Sequence, residues 1–309
     1  LKKGVENLDN LFLLRPTLFY PIWTFFLAGM WGGARFGNRV GEFAHPVSPL
    51  WVCVFLSLVM GGVFIVNQIQ DAETDRANGK LFLIANHIIS VKEAYIEAVL
   101  LAGIGIIAGF WIDVRIGLGF FFLLFLAGWL YNYPPAQWKN RPLLGLATNG
   151  IGGFVIYCLG WLTGGGEFVP PRAVAYALAG VAVFLNTTLP DREGDKKTGK
   201  ITFSIRYGVK KTAWTALVFE IATLGFAFGF KDWLLLFPAL FVLPFFVLGV
   251  LNPTVNRMMR ATKFSVLALA AAVCVVFPWY VVPVFVVFYL SKAYYRKRFG
   301  FDYPSFKSS

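Results

Sequence analysis

Apolar residues fall in long blocks separated by short polar stretches almost from one end of the chain to the other. A helix needs about 20 apolar residues to cross a bilayer. On that measure nine spans are expected, at 17–36, 49–70, 92–111, 114–132, 146–163, 172–190, 212–230, 233–250 and 264–292. The last is long and contains Pro278 and Pro283, so it is expected to kink or to split into shorter pieces. No long polar interruption divides the series. Residues 1–309 therefore read as one polytopic domain, an all-α membrane protein built as a bundle of about nine transmembrane helices.

Composition agrees. The chain is 58% hydrophobic and 14% charged, with a mean hydropathy of +0.66, whereas soluble domains carry about 25% charged residues. The 33 Phe and 10 Trp suit lipid-facing surfaces or an apolar pocket equally. A formal charge of +12 raises the possibility of nucleic acid, but the basic residues sit in short loops between apolar blocks, the pattern that sets membrane topology. No nucleic-acid partner is expected. Cys53, Cys158 and Cys274 all lie inside apolar blocks and form neither a metal motif nor a disulfide framework. The N-terminal stretch shows no cleavable signal pattern, so the first block is expected to remain as an anchor.

Lys and Arg also orient the chain. With the N-terminus on the cytoplasmic side, eighteen of them fall on that side, against Arg35, Arg39, Arg115, Arg172 and Lys231 opposite. The C-terminal tail places five more on the wrong side of a nine-span protein. The expected location is a multi-pass membrane protein, read as prokaryotic cell membrane, with the longer loops after even-numbered spans facing the cytoplasm.

Those loops carry the chemistry. "NQIQDAETDRANGK" follows the second span, and Asn67, Asp71 and Asp75 stand four apart, on one face of a helix. The loop after the sixth span, "NTTLPDREGDKKTGK", repeats the spacing with Asp191 and Asp195. Four spans separate the two clusters, so both emerge at the same membrane face. Each anchors one half of the chain, near 67–75 and 191–195. Gathered carboxylates raise one another's pKa unless cations compensate them. Mg²⁺ accepts a few carboxylates, keeps some waters and binds phosphate oxygens, so the pattern suggests a metal-bridged diphosphate. Arg76, Lys80, Lys139, Arg141, Arg192, Lys196, Lys197 and Lys200 surround the clusters as candidate partners for an anion. A single acidic pair at a helix end is more often a solvated loop with weak ion pairs. Two matched pairs at one face make that bland reading much less favourable. His45 and His87 have no paired ligand and are read as structural or solvated.

Two other classes fit the pattern less well. Ionisable residues can mark ion paths, as in a transporter with acidic cytoplasmic gate residues, but the span interiors hold almost no charge. An alcohol phosphotransferase of the phospholipid type needs its acidic motif on one continuous stretch, which neither cluster supplies.

The motifs together resemble the UbiA superfamily of intramembrane prenyltransferases. "NQIQDAETD" is similar to its NDxxDxxxD signature and "DREGD" to its DxxxD signature. "YNYPPAQWKNRPLLG" resembles its Y-S-x-P-P…K block, and "IISVKEA" the start of its third helix. The resemblance implies nine helices around a central cavity under a cytoplasmic cap. It implies Mg²⁺-dependent transfer, with two ions expected, from a prenyl diphosphate such as geranylgeranyl diphosphate to a lipophilic acceptor in contact with membrane lipid. It also implies metal positions at Asn67, Asp71, Asp75, Asp191 and Asp195. Asp71, Asp191, Tyr131 and Lys139 would act in catalysis, and Asn67, Arg76, Lys139, Arg141 and Lys200 would contact diphosphate. Tyr133 and Trp138 join Tyr131 as candidates for an aromatic wall around an allylic cation. There are departures. Gln68 stands where the family commonly has Asp, and "GKLFLIANH", with Lys80 in a possible basic role, replaces the usual stretch after the first motif.

Overall fold

The computed structural model describes residues 5–37, 48–78, 83–167 and 170–304; Arg39, His45 and Lys80 lie outside them. The described residues form helices and connecting turns, with no strand among them. In chain order the helices are α1 (Asp9–Leu13), α2 (Phe19–Phe36), α3 (Pro49–Gln70), α4 (Ala72–Ala77), α5 (Val91–Ile112) and α6 (Val114–Leu123). They continue with α7 (Pro142–Thr163), α8 (Ala173–Thr187), α9 (Arg192–Lys197), α10 (Phe203–Gly229), α11 (Trp233–Leu251), α12 (Val255–Val276) and α13 (Val281–Phe299).

Among the described residues seven helical stretches are long and apolar enough to cross a membrane. They contain α2, α3, α5, α7, α10, α11 and α12. Shorter apolar helices at Val114–Leu130 and Ala173–Thr187 occupy the expected fourth and sixth spans. Burial shows why such greasy helices pack with a definite face. On α5 the inward residues are Ala94, Ala98, Ala102, Gly105 and Gly109, while Val99, Ile107 and Trp111 stay 69%, 72% and 78% exposed. Small residues let helices approach closely where lipid removes the hydrophobic drive for association. The tightest crossing joins α2 to α7. A Cβ built on Gly160 would lie 1.9 Å from the carbonyl oxygen of Phe26, and one on Gly29 would lie 2.1 Å from that of Tyr157.

The expected ninth span is where the fold differs most from the reading of the sequence. It is two helices: α12 begins earlier, at Val255, and the chain breaks at Phe277–Pro278 before α13. Pro278 supplies no backbone N–H to continue the ladder. The second helix then folds back along the start of the chain. Tyr280 meets Thr24 (3.0 Å between hydroxyls), and the Tyr20 hydroxyl donates to the Val284 carbonyl (3.1 Å). Farther along, Tyr294 stacks on Phe12 and Arg298 pairs with Asp9 (3.1 Å) and Glu6 (3.2 Å). The Gln68 amide donates to the Leu13 carbonyl (2.7 Å), which fixes α1 at the Asp71 end of α3. The tail carrying Arg296, Lys297 and Arg298 thus returns to the acidic end of the bundle, which corrects the expectation that it lies opposite.

Candidate active site

The acidic end of α3 is organised by a break in its helix. Asp71 leaves helical geometry (φ −102°, ψ 6°), and α4 resumes one residue later. The four-residue spacing still operates across this point: Asn67 Nδ2 donates to Asp71 Oδ2 at 3.0 Å. The same amide donates to Asn132 Oδ1 at 3.0 Å. Asn132 in turn donates to the carbonyls of Ala127 and Gly128, inside the π-helical stretch Leu124–Leu130 that delivers Tyr131. A widened turn of this kind leaves carbonyls in need of donors and often marks a functional position.

Two ammonium groups complete the cluster. Lys139 Nζ lies 2.8 Å from Asp71 Oδ1 with its side chain only 3% exposed, and Lys200 Nζ lies 3.3 Å from the same oxygen. Lys200 also reaches Asp195 Oδ1 at 3.8 Å. One lysine therefore spans both acidic motifs. It gets there because Gly199 takes a left-handed turn (φ 74°) and the Lys200 N–H donates to the Asp195 carbonyl (2.9 Å), folding the chain back over the site. The loops themselves interlock. Asn78 Oδ1 accepts from the Gly194 N–H (3.0 Å), and the Thr74 and Thr198 hydroxyls meet at 3.1 Å.

The electrostatics follow from this crowding. Burial alone would raise the Asp71 pKa, but Lys200 and Lys139 more than offset it and hold the carboxyl below its usual range. Burial pushes the Lys139 ammonium below the ordinary lysine value in spite of Asp71. Burial acts in the same sense on Lys200, yet Asp71 and Asp195 together raise it above that value.

Asn67, Asp71, Asp75, Asp191, Asp195, Tyr131 and Lys200 line one cavity of about 530 Å³ that descends from this mouth between the helices. Its walls become apolar below, with Phe25, Phe64, Ile156, Val242 and Leu269 among them. Lys139 sits behind Asp71 rather than on the wall. Arg76 and Arg141 are not brought to the cavity. The Arg76 guanidinium holds the Ala85 carbonyl (2.9 Å) and the His87 ring, and Arg141 is exposed with its nearest acceptor the Pro135 carbonyl at 3.4 Å. Tyr133, bonded to the Tyr95 hydroxyl (2.9 Å), and Trp138 also lie off the wall. Gln68 faces the N-terminal segment, so its difference from the family pattern does not alter the mouth directly.

Among the described residues no three acidic, His or Cys side chains close on one point as a preformed metal cage. The donor set nevertheless suits Mg²⁺. It consists of carboxylate and amide oxygens around an open cavity, and this ion needs only one or two carboxylates beside water and phosphate oxygens. In this structure Asp71 Oδ1 is paired with the Lys139 and Lys200 ammonium groups, while Asn67, Asp75, Asp191 and Asp195 line the same cavity.

Sequence reasoning missed two cavity residues and one buried residue behind the wall. Arg15 lines the cavity from a left-handed turn (φ 54°) before Pro16. Asn132, fully buried, ties the π-helical turn to Asn67. Glu220 lines the deeper part. A lone acidic residue within the expected span 212–230 was a visible signal for the last of these.

A family model described as the UbiA prenyltransferase family matches residues 22–258. Chlorophyll synthase of Oryza sativa subsp. japonica is 24% identical over 74% of this chain and 65% of its own length. A 2-acylphloroglucinol 4-prenyltransferase of Humulus lupulus is 27% identical over 57% of this chain and 46% of its own. The match thus spans less than two thirds of either relative. A UbiA homologue from Archaeoglobus fulgidus, solved bound to DMAPP and Mg²⁺, superposes with a TM-score of 0.63 at 16% identity, covering 86% of this chain and 99% of that one.

Proposed function

Because the chain belongs to the UbiA prenyltransferase family, we propose that it transfers an isoprenyl group from a prenyl diphosphate to an aromatic or hydroxyl-bearing lipophilic acceptor, releasing diphosphate. The observation that carries this reading is the convergence of Asp71 and Asp195 on the Lys200 ammonium at the mouth of a largely apolar cavity. An amphiphile with an anionic head and a hydrocarbon tail matches that polarity end for end. The relatives supply the reaction class: curated ones are named as a chlorophyll synthase and a prenyltransferase, and the Archaeoglobus homologue holds DMAPP and Mg²⁺. A transporter is not favoured.

In this scheme Asn67, Asp71, Asp75, Asp191 and Asp195 would hold Mg²⁺. The metal, when bound, neutralises charge that develops on the departing diphosphate. Lys200 and Lys139 stand beside Asp71 as fixed positive charge for the same leaving group. The allylic C–O bond breaks with its electron pair going to diphosphate. The acceptor's electron pair then forms the new bond to C1, and the acceptor loses a proton to solvent or diphosphate. Tyr131 lines the cavity together with the carboxylates, and its ring would face the allylic cation and exclude water. Arg76 and Arg141 serve the surrounding loops rather than the diphosphate.

The test is prenyl transfer from geranylgeranyl diphosphate to a panel of lipophilic acceptors, followed by mass spectrometry. Chelation of divalent ions should abolish product, and Asp71→Asn or Asp191→Asn should each lower the rate by about 10²-fold or more, the scale seen when a group that stabilises developing charge is removed. Full activity in chelator, or in both variants, would overturn the proposal.

A further inference from the structure

Glu220 sits on α10 roughly three turns below the kink at Gly208 (φ 81°, ψ 165°), well away from the acidic mouth. It is 3% exposed, lines the cavity, and its Oε1 has no hydrogen-bond partner. A carboxyl group in such a position is costly unless something satisfies it. The protein offers little to do so. Thr223 and Ser265 line the same cavity, but their hydroxyls donate to the Phe219 (2.9 Å) and Ala261 (2.8 Å) carbonyls of their own helices. Leu235, Ala239 and Leu269 line the same cavity with hydrocarbon.

A hydroxyl or N–H on a bound molecule would donate to Oε1 whichever protonation state the carboxyl holds. The hydrocarbon tail of a prenyl diphosphate has no such group. We propose that Glu220 forms a second polar subsite, which recognises a hydroxyl or N–H carried by the acceptor at a distance from its reacting atom. The acceptor is then an elongated, two-ended molecule, apolar in its middle. This assignment rests on the transferase reading above. It makes Glu220 a specificity residue rather than a catalytic one, since nothing places it near the bond that breaks.

The experiment uses a matched pair of probes, 4-octylphenol and octylbenzene, which differ by one hydroxyl. Their affinities for the full chain in detergent are compared as a ratio, so that partition into micelles cancels between variants. Wild type should prefer the phenol by about tenfold, the value of one buried hydrogen bond. Glu220→Gln keeps an acceptor oxygen and should retain the preference, whereas Glu220→Leu should abolish it. No preference in wild type, or an equal preference in Glu220→Leu, overturns the proposal. Mg²⁺-dependent binding of geranylgeranyl diphosphate is measured on the same samples. Its absence from wild type would sink the transferase reading, and with it the assignment of the hydroxyl to an acceptor, independently of the probe ratio.

Discussion

Asp71 is the residue on which the site turns, because Lys139, Lys200 and Asn67 all bond to it and Asn132 bonds to its partner Asn67. Lys139→Met should therefore do more than remove a charge. It leaves a buried carboxylate with one ammonium instead of two, and breaking a buried pair costs about 3–5 kcal/mol. A clear fall in melting temperature in detergent, together with loss of donor binding, is the expected result. The pair also has a pH window. Asp71 has a depressed pKa, so its contribution is present above the ordinary carboxylate value and is lost as pH falls through the lower folded value. Burial depresses Lys139 too, so above its folded value the unfolded chain binds the extra proton and stability rises with pH up to the ordinary lysine value. Melting temperature in wild type should fall off at the acid end and rise as pH approaches the ordinary lysine value, and Lys139→Met should remove that alkaline rise. Asn67 and Asp71 were legible in the sequence because a spacing of four survives even a helix break. The commitments of Asn132, Arg76 and Gln68 were not, since hydropathy gives no sign of which way a polar side chain turns at a helix end.

At the scale of elements, two contacts decide the geometry. The α2–α7 crossing admits no side chain at Gly160, so Gly160→Ala must push Phe26 and its helix away. Overpacking of this kind costs about 1–3 kcal/mol, measurable as a lower unfolding midpoint. The interlock of α4 with α9 is subtler. A Cβ on Gly194 would fall 2.0 Å from Asn78 Oδ1, so Gly194→Ala expels the very group that Asn78→Ala deletes. Both single variants should loosen Mg²⁺-dependent donor binding to a similar degree, and the double variant should be no worse than either. Additive losses would mean that the loops are not joined through this bond. The long apolar helices before the last were readable from block length, but the short helices α1, α4 and α9 were not. Block length could not place the break in the last one, because Pro278 and Pro283 fall in one continuous apolar run and only Pro278 ends a helix.

For the whole molecule, the return of α13 makes a prediction about sidedness. After replacement of Cys53, Cys158 and Cys274, single cysteines at Glu73, Glu193 and Arg298 should react with an impermeant maleimide from one face of sealed vesicles. A cysteine at Lys231, between α10 and α11, should react only from the other face. Labelling of Arg298 together with Lys231 would contradict the fold-back.

The partners of Asp71 lie 68 and 129 residues further along the chain. During synthesis the aspartate thus reaches the membrane surface long before either lysine exists. Until the later helices are threaded it has only water and its neighbouring amide for company. Its segment must therefore remain at the aqueous boundary while more than a hundred residues are inserted. Electrical closure of the mouth is in this sense one of the last acts of assembly, and a half-inserted chain cannot imitate it.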